Sequence, residues 1–178
     1  MTKIIGILNL TLDSFSDGGM YYDLESAKKH ISEMITQGAD IIDIGAESTR
    51  SGFSDVSADT QINTLAPIIE FINKNHDIKI SIDTRSSEVI NAFSGQNILF
   101  INDVSSGFHD MNMLKTVSHL KCNYIMTHMP AEHQKGLNKK YNNVLDELNI
   151  FFSERIKSCI DQGIDKEKII IDPGIGFG

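Results

Sequence analysis

Cysteine is scarce: Cys122 and Cys159 are the only two in 178 residues. Without metal-ligand spacing or further partners, they exclude a disulfide framework and a cysteine-based metal centre. They read as buried thiols in a reducing compartment. Basic residues are also in deficit, with 16 Lys and Arg against 24 Asp and Glu and a formal charge of −8. That balance argues against a nucleic-acid groove, which needs a basic stripe. It leaves an anionic small molecule open, since a few arginines and backbone N–H groups hold one. The apolar stretch within Met1–Leu10 is too short for a signal peptide or a membrane span, so no membrane partner and a cytoplasmic location are expected. No linker, low-complexity tract or hairpin signal interrupts the chain. Residues 1–178 are therefore expected to form one domain.

What is present is an alternation of short apolar runs with amphipathic stretches. Strands are expected over Lys3–Leu10, Asp40–Glu47, Lys79–Thr84, Ile98–Val104, Asn123–His128 and Lys168–Asp172. Between them, helical spacing predicts helices over Leu24–Gly38, Ala58–Lys74, Ser86–Ser94, Met111–Leu120 and Val144–Gln162. Asp23 is expected to cap the first helix and Gly38 to end it. Pro67 should kink the second helix or mark its first turn. Six strands alternating with helices imply a parallel sheet with crossovers, covered on both faces. That leaves a doubly wound sheet or a (β/α)8 barrel.

The strand tips favour the barrel. With side chains alternating at period two, one face of each strand carries a polar group at or near its carboxyl end. These are Asn9, the Asp43–Glu47 face, Asp83, Asn102, His128 and Asp172. A doubly wound sheet concentrates ligand contacts at one switch point, whereas a barrel gathers them from many strands. Thr84, Asp103 and Ser105 read instead as cap or turn residues. The final Asp172-Pro-Gly-Ile-Gly-Phe-Gly178 has the glycine spacing of a dinucleotide fingerprint, but its proline and the lack of a following helix contradict that reading. Such a barrel takes about 250 residues, so the fold expected is a TIM-type (β/α)8 barrel truncated after its sixth strand.

Five segments carry a family likeness. They are Gly6-Ile-Leu-Asn-Leu-Thr-Leu-Asp-Ser-Phe-Ser-Asp-Gly-Gly19, Asp43-Ile-Gly-Ala-Glu-Ser-Thr-Arg-Ser-Gly52, Ser81-Ile-Asp-Thr84, Ile101-Asn-Asp-Val-Ser105 and Asp172-Pro-Gly-Ile-Gly-Phe-Gly178. Together and in this order they resemble dihydropteroate synthase, over about the first two-thirds of that family's length. The resemblance implies a (β/α)8 barrel and a folate-pathway transferase. It would join 6-hydroxymethyl-7,8-dihydropterin diphosphate to 4-aminobenzoate, with Mg²⁺ as cofactor and sulfonamides as competitors.

By the same resemblance, Asp83, Asn102 and Asp172 would hold the pterin, with Met126 packing near its ring. Asn9 would be the metal ligand. Thr49, Arg50 and Ser51 would meet the anionic end, while Asp13, Ser14 and Phe15 would form the mobile first loop around aminobenzoate. Asp13 and Arg50 would carry the catalytic roles. His128 is expected to be structural. The family is commonly dimeric, which implies a homodimer. Its pattern usually has Pro where Leu12 and Ser51 stand here, and proline lowers loop entropy, so looser substrate loops are expected. The loop Pro130–Gly136 is only loosely like the family's. The Ser-Arg-Lys and Arg-x-His motifs of the family's last two strands do not occur. A sheet lacking two strands cannot close, so the 178 residues alone are expected to be poorly active. The alternatives are a pterin-binding subunit without catalysis and the pterin-binding barrel of corrinoid methyltransferases.

Overall fold

Apolar residues at period two set the strands, and every expected element is found within two residues of its expected bounds. The computed structural model describes residues 2–10, 24–137 and 139–177. The strands are β1 (Ile5–Asn9), β2 (Ile41–Gly45), β3 (Lys79–Asp83), β4 (Ile98–Asp103), β5 (Asn123–Thr127) and β6 (Ile169–Asp172). The helices are α1 (Leu24–Thr36), α2 (Ala58–Asn75), α3 (Ser87–Ala92), α4 (Met113–Leu120), α5 (Ala131–Gln134) and α6 (Val144–Asp161). The four-residue α5 was not expected, being too short to show an apolar period. The expected cap Asp23 lies outside the described residues.

Local chemistry explains several boundaries. Ser57 starts α2 by accepting from the Thr60 N–H, and Asn143 starts α6 by accepting from those of Leu145 and Asp146. Each such cap contributes about 1 kcal/mol. Gly38, at φ +102°, follows α1 in the left-handed region that glycine enters without steric cost. Pro67 lies inside α2 and the helix runs through it. The buried stripe Leu65, Ile68, Ile69 and Ile72 holds both sides of that position against the sheet.

All six strands are parallel and hydrogen-bonded in sequential order, β1-β2-β3-β4-β5-β6. A doubly wound sheet reverses its order at a switch point. An unreversed order is the wall of a βα-barrel, as expected. The register holds one irregularity. Ile80 pairs with Ile98 but Ser81 pairs with Phe100, which leaves Leu99 as an extra residue in β4.

The core lies between the sheet and its helices. Ile42, Ile44, Ile80, Ile82, Ile101, Tyr124 and Met126 face Ile31, Leu65, Ile68, Ile72, Val89, Val117 and Phe152, all buried. A fully buried side chain of this size contributes about 1.5–3 kcal/mol. The inner face is covered in the middle of the wall and open at its rims: Ile7 of β1 is 60% exposed, whereas Asp43, its partner in β2, is buried. Cys122 and Cys159 are free and buried, as the sequence suggests. Burial pushes the Cys159 thiol up to about 11. Among the described residues, no helix is long and apolar enough to cross a membrane.

Candidate active site

The register aligns the strand tips into rows. Asn9 pairs with Gly45, Gly45 with Asp83, and Asp83 with Asn102. These four positions cross β1 to β4 at one level of the inner face. One step higher, Thr127 pairs with Asp172. The expected residues Asn9, Asp83, Asn102 and Asp172 thus share one face and one end of the sheet.

Asp43 sits one level below, in a strand buried along its whole length. Its Oδ2 accepts from Asn102 Nδ2 at 3.0 Å. Since a carboxylate only accepts, this bond fixes which way the amide lies. It leaves the Asn102 carbonyl oxygen and a second N–H for another partner. Asp43 Oδ1 and the neighbouring Ser81 Oγ are buried without a hydrogen bond. Burial raises the Asp43 carboxyl, and the Asn102 amide pulls it partly back.

Asp83 supplies the carboxyl of the row. Burial lifts it well above the usual carboxylate range, and the negative charges of Asp43, Asp103 and Glu47 add to the lift, against Arg85. Gly45 makes the space it occupies. A Cβ there would stand 3.1 Å from Asp83 Cβ and 3.2 Å from its Oδ2.

Asp172 is held by its own loop. Its Oδ1 accepts from Gly174 N–H at 2.9 Å, and its Oδ2 lies 3.4 Å from Thr127 Oγ1, which donates. Gly174 has φ +69°, and a Cβ would lie 2.0 Å from the carbonyl oxygen of His128. No side chain fits there, so the amide that orients Asp172 depends on glycine.

Met126 does not face this site. It is fully buried in the helix-side core, on the face it shares with Tyr124. The inner face of β5 carries Ile125 and Thr127, so the expectation for Met126 is corrected to the opposite side. The misreading comes from starting the alternation at His128, which lies past the end of the strand. His128 is buried against Phe151 and Tyr141, in keeping with a structural role.

The loop after β2 leaves the sheet through a buried ion pair. Glu47 Oε2 meets Arg85 Nε at 2.7 Å, and its Oε1 accepts from Val56 N–H at 3.0 Å. Arg85 also donates to Asp55 at 2.8 Å and stands 4.7 Å from the Phe53 ring centroid. Burial alone would pull this guanidinium down, but Glu47 and Asp55 more than offset it. Beyond the pair the loop rises to the surface. Thr49 is half-buried, and Arg50 and Ser51 are exposed. The sequence puts Glu47 on the polar face of the second strand and assigns Arg85 no role, because a pair 38 residues apart leaves no local signature. Asp43 does leave one, as a charge inside an apolar run.

Thr84 and Asp103 are turn residues as expected. Thr84 Oγ1 accepts from Ser86 N–H. Asp103 accepts from Ser105 and Gly107 N–H and from Tyr124 OH. Asp13, Ser14 and Phe15 lie outside the described residues. Among the described residues, no group of three or more His, Cys, Asp or Glu could hold a metal ion. Asn9 stands exposed at the tip of β1 as a single hard oxygen donor.

A parallel wall with its polar groups gathered at the carboxyl tips defines the class of βα-barrel proteins whose ligand site is built there. Within that class the chain belongs to the family described as pterin binding enzyme, which matches residues 5–178. It is 40% identical to the dihydropteroate synthase of Clostridium beijerinckii over 177 residues, covering 99% of this chain and 64% of that one. The Yersinia pestis dihydropteroate synthase, solved with a sulfonamide drug, superposes with a TM-score of 0.90 at 34% identity, over 98% of this chain and 64% of that one. The Xanthomonas albilineans dihydropteroate synthase, solved with 4-aminobenzoic acid, gives 0.87 at 36% identity, over 99% and 62%. The chain thus spans less than two-thirds of the length of these relatives.

Proposed function

We propose that these residues form the pterin-holding wall of a dihydropteroate synthase, a transferase of folate biosynthesis. The reading rests on one observation above all, the row of Asp83 and Asn102 backed by Asp43, with Asp172 on the same face. The pyrimidine edge of a pterin offers several N–H donors side by side, much as a guanidinium does. A carboxylate surrounded by like charges gains from such a partner through paired, charge-assisted bonds. Asp83 and Asp172 act as acceptors, and Asn102 offers a carbonyl and an N–H whose order Asp43 has fixed. Thr127 stands where the ring passes β5.

In the reaction, the amine of 4-aminobenzoate attacks the methylene carbon of 6-hydroxymethyl-7,8-dihydropterin diphosphate. A C–N bond forms, the C–O bond to the diphosphate breaks, and the amine loses a proton. The bond electrons leave with pyrophosphate, so the protein must favour a departing polyanion more than it must remove a proton. Thr49 and Arg50 serve that end, and Ser51 borders it. Asp13, Ser14 and Phe15, which lie outside the described residues, are assigned to the aminobenzoate by the family resemblance alone. The exposed oxygen of Asn9 fits a metal held mainly by phosphate and water. Bound there, Mg²⁺ would supply charge neutralisation for the diphosphate.

The test is pterin binding followed by the fluorescence of 6-hydroxymethylpterin, with aminobenzoate-dependent pyrophosphate release as the catalytic readout. Binding that falls at least roughly ten-fold in Asp172→Asn, the loss of one charge-assisted bond, is expected. Equal affinity in the variant overturns the assignment.

A further inference from the structure

Two segments that depart from the family pattern meet in space. The carbonyl oxygen of His133, in α5, accepts from Gly52 N–H at 3.3 Å and from Ser51 Oγ at 3.4 Å. The same oxygen closes the turn to Gly136 N–H at 3.0 Å. The His133 ring works in the same direction. Its Nε2 lies 3.0 Å from the carbonyl oxygen of Thr49. A carbonyl only accepts, so this nitrogen carries the proton and donates. The ring also meets Phe177 edge-on, with centroids 4.8 Å apart and planes at 70°.

We infer that His133 is a positioning residue that ties the loop after β2 to the loop after β6. Its backbone and ring together engage Thr49, Ser51 and Gly52 on one side and Phe177 on the other. Thr49 and Gly52 flank Arg50, so the tether sets the path of the segment from which that side chain projects. Ser51, which has the backbone freedom that proline lacks, is held through its hydroxyl. The role in catalysis rests on the proposed assignment of Thr49 and Arg50 to the anionic end, but the tether itself needs no ligand.

Hydrogen–deuterium exchange of the 178-residue chain tests it. In His133→Ala, segments 49–53 and 173–177 should both exchange roughly five-fold faster, the scale of one modest contact, while 79–83 stays unchanged. His133→Gln keeps an amide donor and loses the ring, so it should restore 49–53 and leave 173–177 fast. His133→Phe should do the reverse. This crossed rescue also decides the case if the alanine variant loosens the whole sheet. Unchanged exchange at 49–53 in His133→Ala, or a glutamine variant that restores neither segment, overturns the inference. Pyrophosphate affinity, measured separately, should fall in His133→Ala and return in His133→Gln. A flat affinity beside the expected exchange pattern counts against the anion-loop assignment alone.

Discussion

Gly45→Ala should separate binding from folding. Gly45 lies in the middle of the tip row, beside Asp83, and its backbone is not in the left-handed region. Alanine is therefore allowed by conformation, and it would reduce the freedom of the unfolded strand, worth about 0.5–1 kcal/mol of stability. Its methyl would stand 3.1 Å from Asp83 Cβ and 3.2 Å from Oδ2. Asp83 Cβ moves only with the β3 backbone, so the two strands must part by a few tenths of an ångström and the carboxylate shifts with them. A charge-assisted bond contributes about 1.5–3 kcal/mol and depends steeply on geometry. Losing most of one corresponds to roughly ten- to hundred-fold in affinity. Urea unfolding should show stability within about 1 kcal/mol of wild type, the crowding offsetting the entropic gain, while fluorescence titration shows the weaker pterin binding. Unchanged affinity would refute the claim that glycine shapes this site. So would an affinity loss that merely follows a loss of stability.

Two further outcomes follow from the electrostatics. Asp83 has its carboxyl raised on folding, so wild type loses stability as pH rises from the unfolded value, about 3.9, toward the folded one. Asp83→Asn removes that loss. It should be more stable than wild type at pH 7, by about 1.4 kcal/mol for each tenfold by which folding weakens the acid, and the difference should vanish below about pH 4; a pH-independent difference in thermal unfolding would contradict this. Glu47→Ala leaves the buried Arg85 guanidinium with the exposed Asp55 as its carboxylate partner and the Val56 N–H without its acceptor, and should cost about 2–3 kcal/mol, whereas the paired Glu47→Leu, Arg85→Met change should return closer to wild type. Equal losses in both, measured by urea unfolding, would contradict the pairing.

Much of this molecule is legible because its strands obey simple alternation. Counting inward from Asn9, Asp83, Asn102 and Asp172 gives the correct face in four strands. The count fails at β5 when it starts from His128, a residue past the last paired position, Thr127 with Asp172. The pairing of Asp43 with Asn102 is half legible: the charge within Ile41–Gly45 marks something unusual, but its partner lies 59 residues on. Glu47 with Arg85 and His133 with Thr49 are not legible at all. Such pairs are chosen by where loops return over the strand ends, and neither residue type nor local spacing announces that. The short α5 is hidden for a related reason, since four residues of mixed polarity carry no stripe.

Leu99 has no place among the ligand-facing groups, yet it makes one strand uneven in its tolerance of deletions. Strand faces invert with every residue, and the extra position in β4 lets Ile98 pack outward while Phe100 and Asn102 point inward. Deleting Leu99 would leave a plain ladder with those faces unchanged, because the residue is spare. Ile98 and Asn102 lie on opposite faces, so removing Phe100 or Ile101 instead restores the same plain alternation, with Leu99 taking the inner position and Asn102 keeping its own. The segment between Ile98 and Asn102 therefore carries one residue of slack. Among natural variants, single-codon gaps in β4 should fall between Ile98 and Asn102, where the amide stays on the ligand face.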